Sequence, residues 1–114
     1  MELRRKEGSV IVARCADGLD LTVPLREAFL RITQDASARG IQGAVLKGGS
    51  PSCATGGAPL LQEQGGSPRL EGVGLLVQTL REAAPDLPVI DESAFEDPVQ
   101  RGAFFSLIFR RIVP

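Results

Sequence analysis

Apolar and polar positions follow two different periods along the chain, and each period predicts a different kind of element. Short apolar runs at residues 9–14, 43–47 and 87–90 are typical of strands. The stretches between them repeat apolar residues every three or four positions, which indicates helices. Strands and helices therefore alternate, and a last helix follows the third strand. We predict an α/β fold in βαβαβα order with a small parallel sheet.

The first helix carries clear start and stop signals. Thr22 is the predicted N-cap and Pro24 lies in the first turn, whereas Arg39 and Gly40 are typical of a helix end. The strands on either side of this helix are expected to pair in parallel as a βαβ unit, because such crossovers normally join neighbouring strands.

The middle and the beginning of the chain carry weaker signals. Ser67 and Pro68 predict the start of the second helix, which Pro85 ends. We expect residues 58–66 before this helix to be irregular, and the charged residues 1–8 to be frayed. The length of 114 residues suits one domain over residues 1–114.

The last segment is unusually apolar for a helix at the end of a small domain. Asp97 and Pro98 predict its N-cap and first residue, and it extends over residues 98–111. A helix that is apolar on nearly every side must be buried or docked on another chain. We therefore expect a homo-oligomer, or a partner subunit, held through this helix. Its apolar residues include Val99, Ala103, Phe104, Phe105, Leu107, Ile108 and Phe109.

A loop of small residues follows the second strand. Residues 50–57 read S-P-S-C-A-T-G-G and include Cys53, Thr55, Gly56 and Gly57. Small residues let backbone N–H groups approach a ligand, and a loop at the carboxyl end of a parallel strand is where α/β sheets usually bind ligands. A mobile surface linker is the alternative interpretation of the same composition.

Composition narrows the possible functions. A net charge of −1 without a basic patch argues against nucleic acid as a partner. No apolar run reaches the roughly 18 residues of a membrane span, so we expect no membrane partner and a cytoplasmic protein. The absence of histidine excludes a histidine base.

Few side chains remain as candidates for chemistry. Cys15 and Cys53 fit no metal motif, and we expect unpaired thiols rather than a disulfide. Lys47 is a candidate for holding an anionic ligand, although a solvated strand-end lysine explains it more simply. We expect no metal ion and no cofactor, since the spacing of the acidic residues fits no calcium loop. Those acidic residues are Asp91, Glu92, Glu96 and Asp97.

Several segments together resemble the crotonase (enoyl-CoA hydratase/isomerase) superfamily. Residues 25–29 are similar to the L-x-x-A-L helix of that family, residues 41–49 to its V-R-A-V-V-L-T-G-x-G strand, and residues 52–58 to its F-C/S-A-G-x-D-L loop. Residues 87–90 are similar to K-P-V-I-A, and residues 101–113 to the helix G-A-G-F-A-L-A-L-A-C-D-I-V. The resemblance implies the N-terminal half of a crotonase-like fold.

The resemblance also implies a site and its limits. In that family two backbone N–H groups form an oxyanion hole for an acyl-CoA thioester, and the matching positions here are Gly57 and Gly102. The family's loop Asp, helix Glu and helix-closing Asp match Ala58, Phe105 and Arg111, so the usual acid and base are missing. We therefore expect a domain without acid/base catalysis that binds an acyl-CoA or acyl thioester or serves as an assembly partner.

Two alternatives stay open. One is an active acyl-thioester enzyme that uses only a backbone oxyanion hole, because main-chain donors alone can stabilise a developing oxyanion. The other sets the resemblance aside and takes the chain as a small PII-like or ferredoxin-like module for ligand binding or oligomerisation.

Overall fold

The computed structural model describes residues 1–113. These residues form six strands, four helices and two separate sheets. The chain is thus mixed α/β, as predicted, but its elements do not follow the predicted βαβαβα order. In chain order they are β1 (Glu2–Lys6), β2 (Ser9–Ala13), α1 (Thr22–Ala38), β3 (Ala44–Leu46), β4 (Ala58–Leu61), β5 (Arg69–Gly72), α2 (Leu75–Ala83), β6 (Val89–Asp91), α3 (Glu92–Glu96) and α4 (Pro98–Ile112).

The larger sheet has four strands in the order β2-β1-β4-β5. β1 pairs antiparallel with β2 and parallel with β4, while β4 pairs antiparallel with β5. Leu3 lies opposite both Val12 and Leu60, and all three are almost completely buried. Leu25 and Phe29 of α1 pack on this cluster, so the main core lies between the sheet and the helices on one of its faces.

The expectation that residues 1–8 are frayed is wrong, because β1 is an interior strand of the larger sheet. Leu3 is only 1% exposed and anchors the strand in the core. Side chains alternate across a strand, so the charged neighbours Glu2 and Arg4 lie on the opposite, solvent-facing side. A single inward apolar residue was too weak a period-2 signal to predict the strand.

The expected βαβ pairing of the strands before and after α1 is also wrong. β3 pairs in parallel with β6 in a separate two-stranded sheet, with Ala44 opposite Val89 and Leu46 opposite Asp91. β3 and β6 run parallel, and the chain between them crosses over through β4, β5 and α2. Within residues 1–113 this two-stranded sheet is the only purely parallel one.

Residues 58–61 form a strand rather than part of an irregular segment, residues 62–66 lie outside any strand or helix as expected, and the second helix does not start at Ser67. β4 and β5 form an antiparallel hairpin instead, and α2 begins only at Leu75. Gly72 explains part of this difference, because a Cβ there would lie 2.7 Å from Leu3 Cδ1 and 2.8 Å from the Ala58 carbonyl oxygen. Without a side chain at Gly72, β5 can lie close to Ala58 of β4 and to Leu3 of β1. These residues therefore favour a strand at the position where a helix was predicted.

The start of α1 differs from the prediction, whereas its end is confirmed. Leu21, not Thr22, is the N-cap, and the Thr22 hydroxyl instead accepts a hydrogen bond from the Val12 amide at 2.9 Å. Asp20 accepts hydrogen bonds from Thr22, and these bonds lower the pKa of its carboxyl group. Gly40 has a φ of 77° and closes the helix in the left-handed conformation.

The start of α4 agrees with the sequence. Asp97 is the N-cap and accepts a hydrogen bond from the Val99 amide at 3.1 Å, and Pro98 is the first helical residue. α4 packs on α3 through edge-to-face contact of Phe104 with Phe95, whose ring centroids are 6.2 Å apart. No helix within residues 1–113 is long and apolar enough to cross a membrane.

Candidate functional site

The loop of residues 50–57 is built into the fold by hydrogen bonds to the start of α2. Its carbonyl groups accept the helix's first amides: Ala54 from Gly74 at 2.8 Å, Ser52 from Leu76 at 2.8 Å, and Pro51 from Leu75 at 3.2 Å. Helix N-terminal amides have no partners within their own helix. The loop supplies partners for Gly74, Leu75 and Leu76, so these three amides are not free for a ligand.

The loop is also ordered internally. The Ser50 hydroxyl accepts hydrogen bonds from the Ser52 amide at 3.1 Å and the Cys53 amide at 3.4 Å. Ala54 is 1% exposed and belongs to the core cluster with Leu75. These contacts favour an anchored loop over the mobile linker considered from composition.

A side-chain latch connects this loop to the end of β6. The Thr55 hydroxyl donates to Asp91 Oδ2 at 3.0 Å, and Asp91 Oδ1 accepts from the Ala94 amide at 2.8 Å. Arg81 adds a bond from its guanidinium to the Thr55 carbonyl at 3.3 Å. One carboxylate thus holds the loop and caps α3 at the same time.

Replacing Asp91 with alanine is expected to remove both roles of the latch. We expect a loss of about 1–2 kcal/mol in the free energy of unfolding, from the lost cap and the unpaired Thr55 hydroxyl. Urea denaturation followed by circular dichroism measures this change. Asp86→Ala removes an exposed carboxylate nearby and is the matched control, with an expected change within about 0.5 kcal/mol. Equal effects of the two variants would contradict the latch.

The two glycines of the predicted oxyanion hole lie in different kinds of backbone. Gly57 is exposed, has a φ of 96° and directly precedes β4 in the larger sheet. Within residues 1–113 the amides of Gly56 and Gly57 have no hydrogen-bond partner. Gly102 lies in the second turn of α4, where an amide normally bonds to the carbonyl four residues earlier. The oxyanion hole stays a prediction.

The other candidate side chains have simpler roles. Cys53 is half-buried and Cys15 is exposed, and both are free thiols. Lys47 is exposed just beyond β3. Of the acidic residues, Asp91 and Asp97 are helix caps. Within residues 1–113 no three Cys, Asp or Glu side chains are grouped closely enough to hold a metal ion.

A groove of about 470 Å³ lies on the outer face of the larger sheet and is lined in part by Arg4, Arg5 and Lys6. Its positive charge is largely compensated. Arg4 donates two hydrogen bonds to Glu2, at 2.9 and 2.5 Å, and Arg5 pairs with Glu71 at 3.5 Å. The groove is therefore a weak candidate for binding an anion.

The outer side of α4 carries the most distinctive surface of the described chain. Gly102, Phe105, Phe109 and Ile112 follow one another at spacings of three, four and three residues, and we call them the outer row. Such spacing places them on one side of a helix. Phe105 is 52% exposed, Phe109 64% and Ile112 53%. Phe104, on the neighbouring side of the helix with its ring 5.8 Å from that of Phe105, is buried, whereas Leu107 on the far side is 49% exposed.

Sequence reasoning identified the apolar character of this helix but not which residues remain exposed. Phe104 and Ile108 both pack over Gly43, where an added Cβ would lie 3.0 Å and 2.7 Å from their side chains. These contacts orient α4 on the domain and leave Phe109 and Ile112 facing away. The Phe105 ring also contacts Phe95 of α3 edge-to-face, with centroids 5.7 Å apart, and keeps about half of its surface exposed. Comparison with protein-family models, curated proteins and solved structures gives no match.

Proposed function

We propose that this chain is a non-catalytic assembly domain that binds a second copy of itself through the outer row of α4. The observation that carries the proposal is the exposure of Phe105, Phe109 and Ile112, each more than half accessible and all on one side of one helix. Single exposed apolar residues are common, but a continuous row of aromatic and aliphatic side chains is typical of an interaction surface.

The size of this surface supports the proposal. A fully covered Phe buries roughly 200 Å², so the exposed parts of the row and of adjacent Val113 amount to about 400 Å² per copy. The largest apolar patch on a typical monomer measures about 300–600 Å² and is often functional. Two copies joined through it cover about 800 Å² in total, less than the roughly 1,200 Å² of stable specific interfaces and in the range of weak, transient ones. We therefore expect weak, reversible dimerisation that becomes measurable at high micromolar concentration.

The shape of the molecule supports the same interpretation. Its radius of gyration is 15.2 Å, with extents of 49 × 30 × 22 Å, whereas a compact domain of this length has a radius of about 13 Å. α4 packs against α3 and the start of β3 on one side only, which leaves its other side available to a partner.

The engagement of the candidate polar groups favours assembly over catalysis. Asp91 and Asp97 cap helices, and the loop carbonyls cap α2. A carboxylate that acts as a general base must reach a substrate proton, and these two carboxylates already accept hydrogen bonds from the protein.

Sedimentation equilibrium of the purified chain, from low to high micromolar concentration, tests the proposal. We expect a monomer–dimer equilibrium and at least a tenfold weaker association for Phe109→Glu, since a buried unpaired charge costs far more than about 1.4 kcal/mol. Val23→Glu is the matched control, because Val23 is 68% exposed on α1. A wild-type chain that stays monomeric throughout, or a Phe109→Glu variant that associates like the wild type, would overturn the proposal.

A further inference from the structure

We infer that the two copies pack their α4 helices antiparallel, related by a two-fold axis that crosses the middle of the outer row. The inference rests on the proposed function, since it describes how the same surface meets its partner. The spacing of the row is that of alternating a and d positions in a heptad, with Gly102 and Phe109 at a and Phe105 and Ile112 at d. In an antiparallel pair each a position faces a d position of the second copy.

Side-chain size favours this arrangement. Antiparallel packing places Gly102 opposite Ile112 of the second copy, and Phe105 opposite its Phe109. At both ends of the row the large Ile112 side chain then meets Gly102. The space beside Gly102 is open in the monomer, since an added Cβ there would have no atom within 4 Å. Parallel packing would set Gly102 against itself and leave a gap beside two pairs of phenylalanines, which close packing disfavours.

Charge favours the same arrangement. α4 ends with Arg110 and Arg111, while Glu92, Glu96 and Asp97 lie at or before its start. Parallel packing would bring four arginines together at one end and six carboxylates, offset only by the two Arg101 guanidinium groups, at the other. Antiparallel packing moves each basic end toward the acidic end of the second copy, and it also opposes the two helix dipoles.

Symmetry is consistent with a closed dimer. An antiparallel contact about a two-fold axis uses the same patch on both copies, and such isologous interfaces stop at two subunits. Gly102 of one copy then lies about 15 Å along the helix axis from Gly102 of the other, since ten residues separate it from Ile112 at about 1.5 Å each.

Cross-linking between engineered cysteines tests the orientation. The variants Gly102→Cys and Ile112→Cys are made separately in a chain whose Cys15 and Cys53 are replaced by serine. They are mixed in equal amounts and treated with a bismaleimide shorter than the separation between like positions. Intact mass spectrometry distinguishes the products, because the two variants differ in mass. We expect the mixed cross-link to predominate and each variant alone to remain mostly unlinked.

The outcomes separate the orientation from the proposed function. Efficient cross-linking of each variant with itself would show parallel packing, which overturns the orientation while the dimer stands. A parent chain, with both native cysteines replaced, that sediments only as a monomer would overturn the proposed function itself.

Salt provides a second measurement on the unmodified chain. We expect the dissociation constant to rise severalfold from about 50 mM to about 500 mM sodium chloride, because screening weakens attraction between opposite ends. A dissociation constant that falls over the same range would indicate like charges brought together and would also overturn the antiparallel orientation.

Discussion

Gly74→Ala is expected to lower the free energy of unfolding by about 3 kcal/mol, because the added methyl group overlaps backbone atoms that cannot rotate away. An ideal Cβ at Gly74 lies 2.5 Å from the Cys53 amide nitrogen and overlaps the carbonyl group of Ser52. The backbone dihedrals of Gly74, φ −63° and ψ 148°, suit any residue, so the effect comes from contact alone. To relieve the overlap, the loop must move off the start of α2 and lose its capping bonds.

Gly56→Ala is the matched control for this substitution. Gly56 lies in the same loop, has no atom within 4 Å of an added Cβ and does not adopt a positive φ. We expect a change of no more than about 0.5 kcal/mol, because the methyl group enters open space. Urea denaturation of both variants under one set of conditions gives the comparison. A Gly74→Ala chain as stable as Gly56→Ala would show that the loop does not pack against α2 as described.

Phe104→Ala is expected to cost about 3–5 kcal/mol, the range for removing a buried phenylalanine. Phe104 is 6% exposed, lies edge-to-face with Phe95, and its ring would be 3.0 Å from a Cβ on Gly43. It is the buried anchor of α4. Its loss should therefore release the helix as well as destabilise the domain. Limited proteolysis followed by mass spectrometry should show new cleavage within Pro98–Ile112.

Phe109→Ala is the control on the same helix, since it removes the same side chain from the exposed side. We expect a change within about 0.5 kcal/mol, measured at a concentration where the chain is monomeric. If Phe109→Ala destabilised the monomer as much as Phe104→Ala, the outer row would belong to the core rather than to an interface.

The elements that the sequence predicted well are those with local signals. α4 begins at the predicted Asp97–Pro98 pair, and α1 ends just before Gly40, because cap side chains and left-handed glycines act within one turn. β3 lies within residues 43–47 for a similar reason, as a short apolar run between glycines. Each of these helix ends and strand positions is determined by residues only a few positions away in the sequence.

The errors concern two strand pairings whose local signals were weak or outweighed. β1 pairs with β2 across the two-residue turn Glu7–Gly8 and also with β4, but the charged run E-L-R-R-K holds only one apolar residue and gives little strand signal of its own. The β4–β5 hairpin did carry a signal, since Gly65 and Gly66 both have positive φ and form a turn between two leucine-containing runs. The apparent cap Ser67–Pro68 outweighed that signal in the prediction.

The candidate site was predictable only in part. The loop of small residues was expected to present its backbone N–H groups to a ligand or to be a mobile linker. The structure shows that its carbonyl groups instead accept hydrogen bonds from the start of α2, and the ligand stays a prediction. The Thr55–Asp91 latch joins residues 36 positions apart, a separation at which sequence spacing gives no information. The exposure of Phe105 and Phe109 likewise depended on which side of α4 met Gly43.

The interior position of β1 has a consequence for how the polypeptide is made. Leu3 leaves the ribosome well before its strand partner Leu60, which lies 57 positions further along the chain. Until then the β1–β2 hairpin has an unpaired edge, and an isolated hairpin is marginally stable in water. Completion of the larger sheet must therefore wait for residues 58–61, so the nascent chain passes through a stage in which chaperones can bind its first strand.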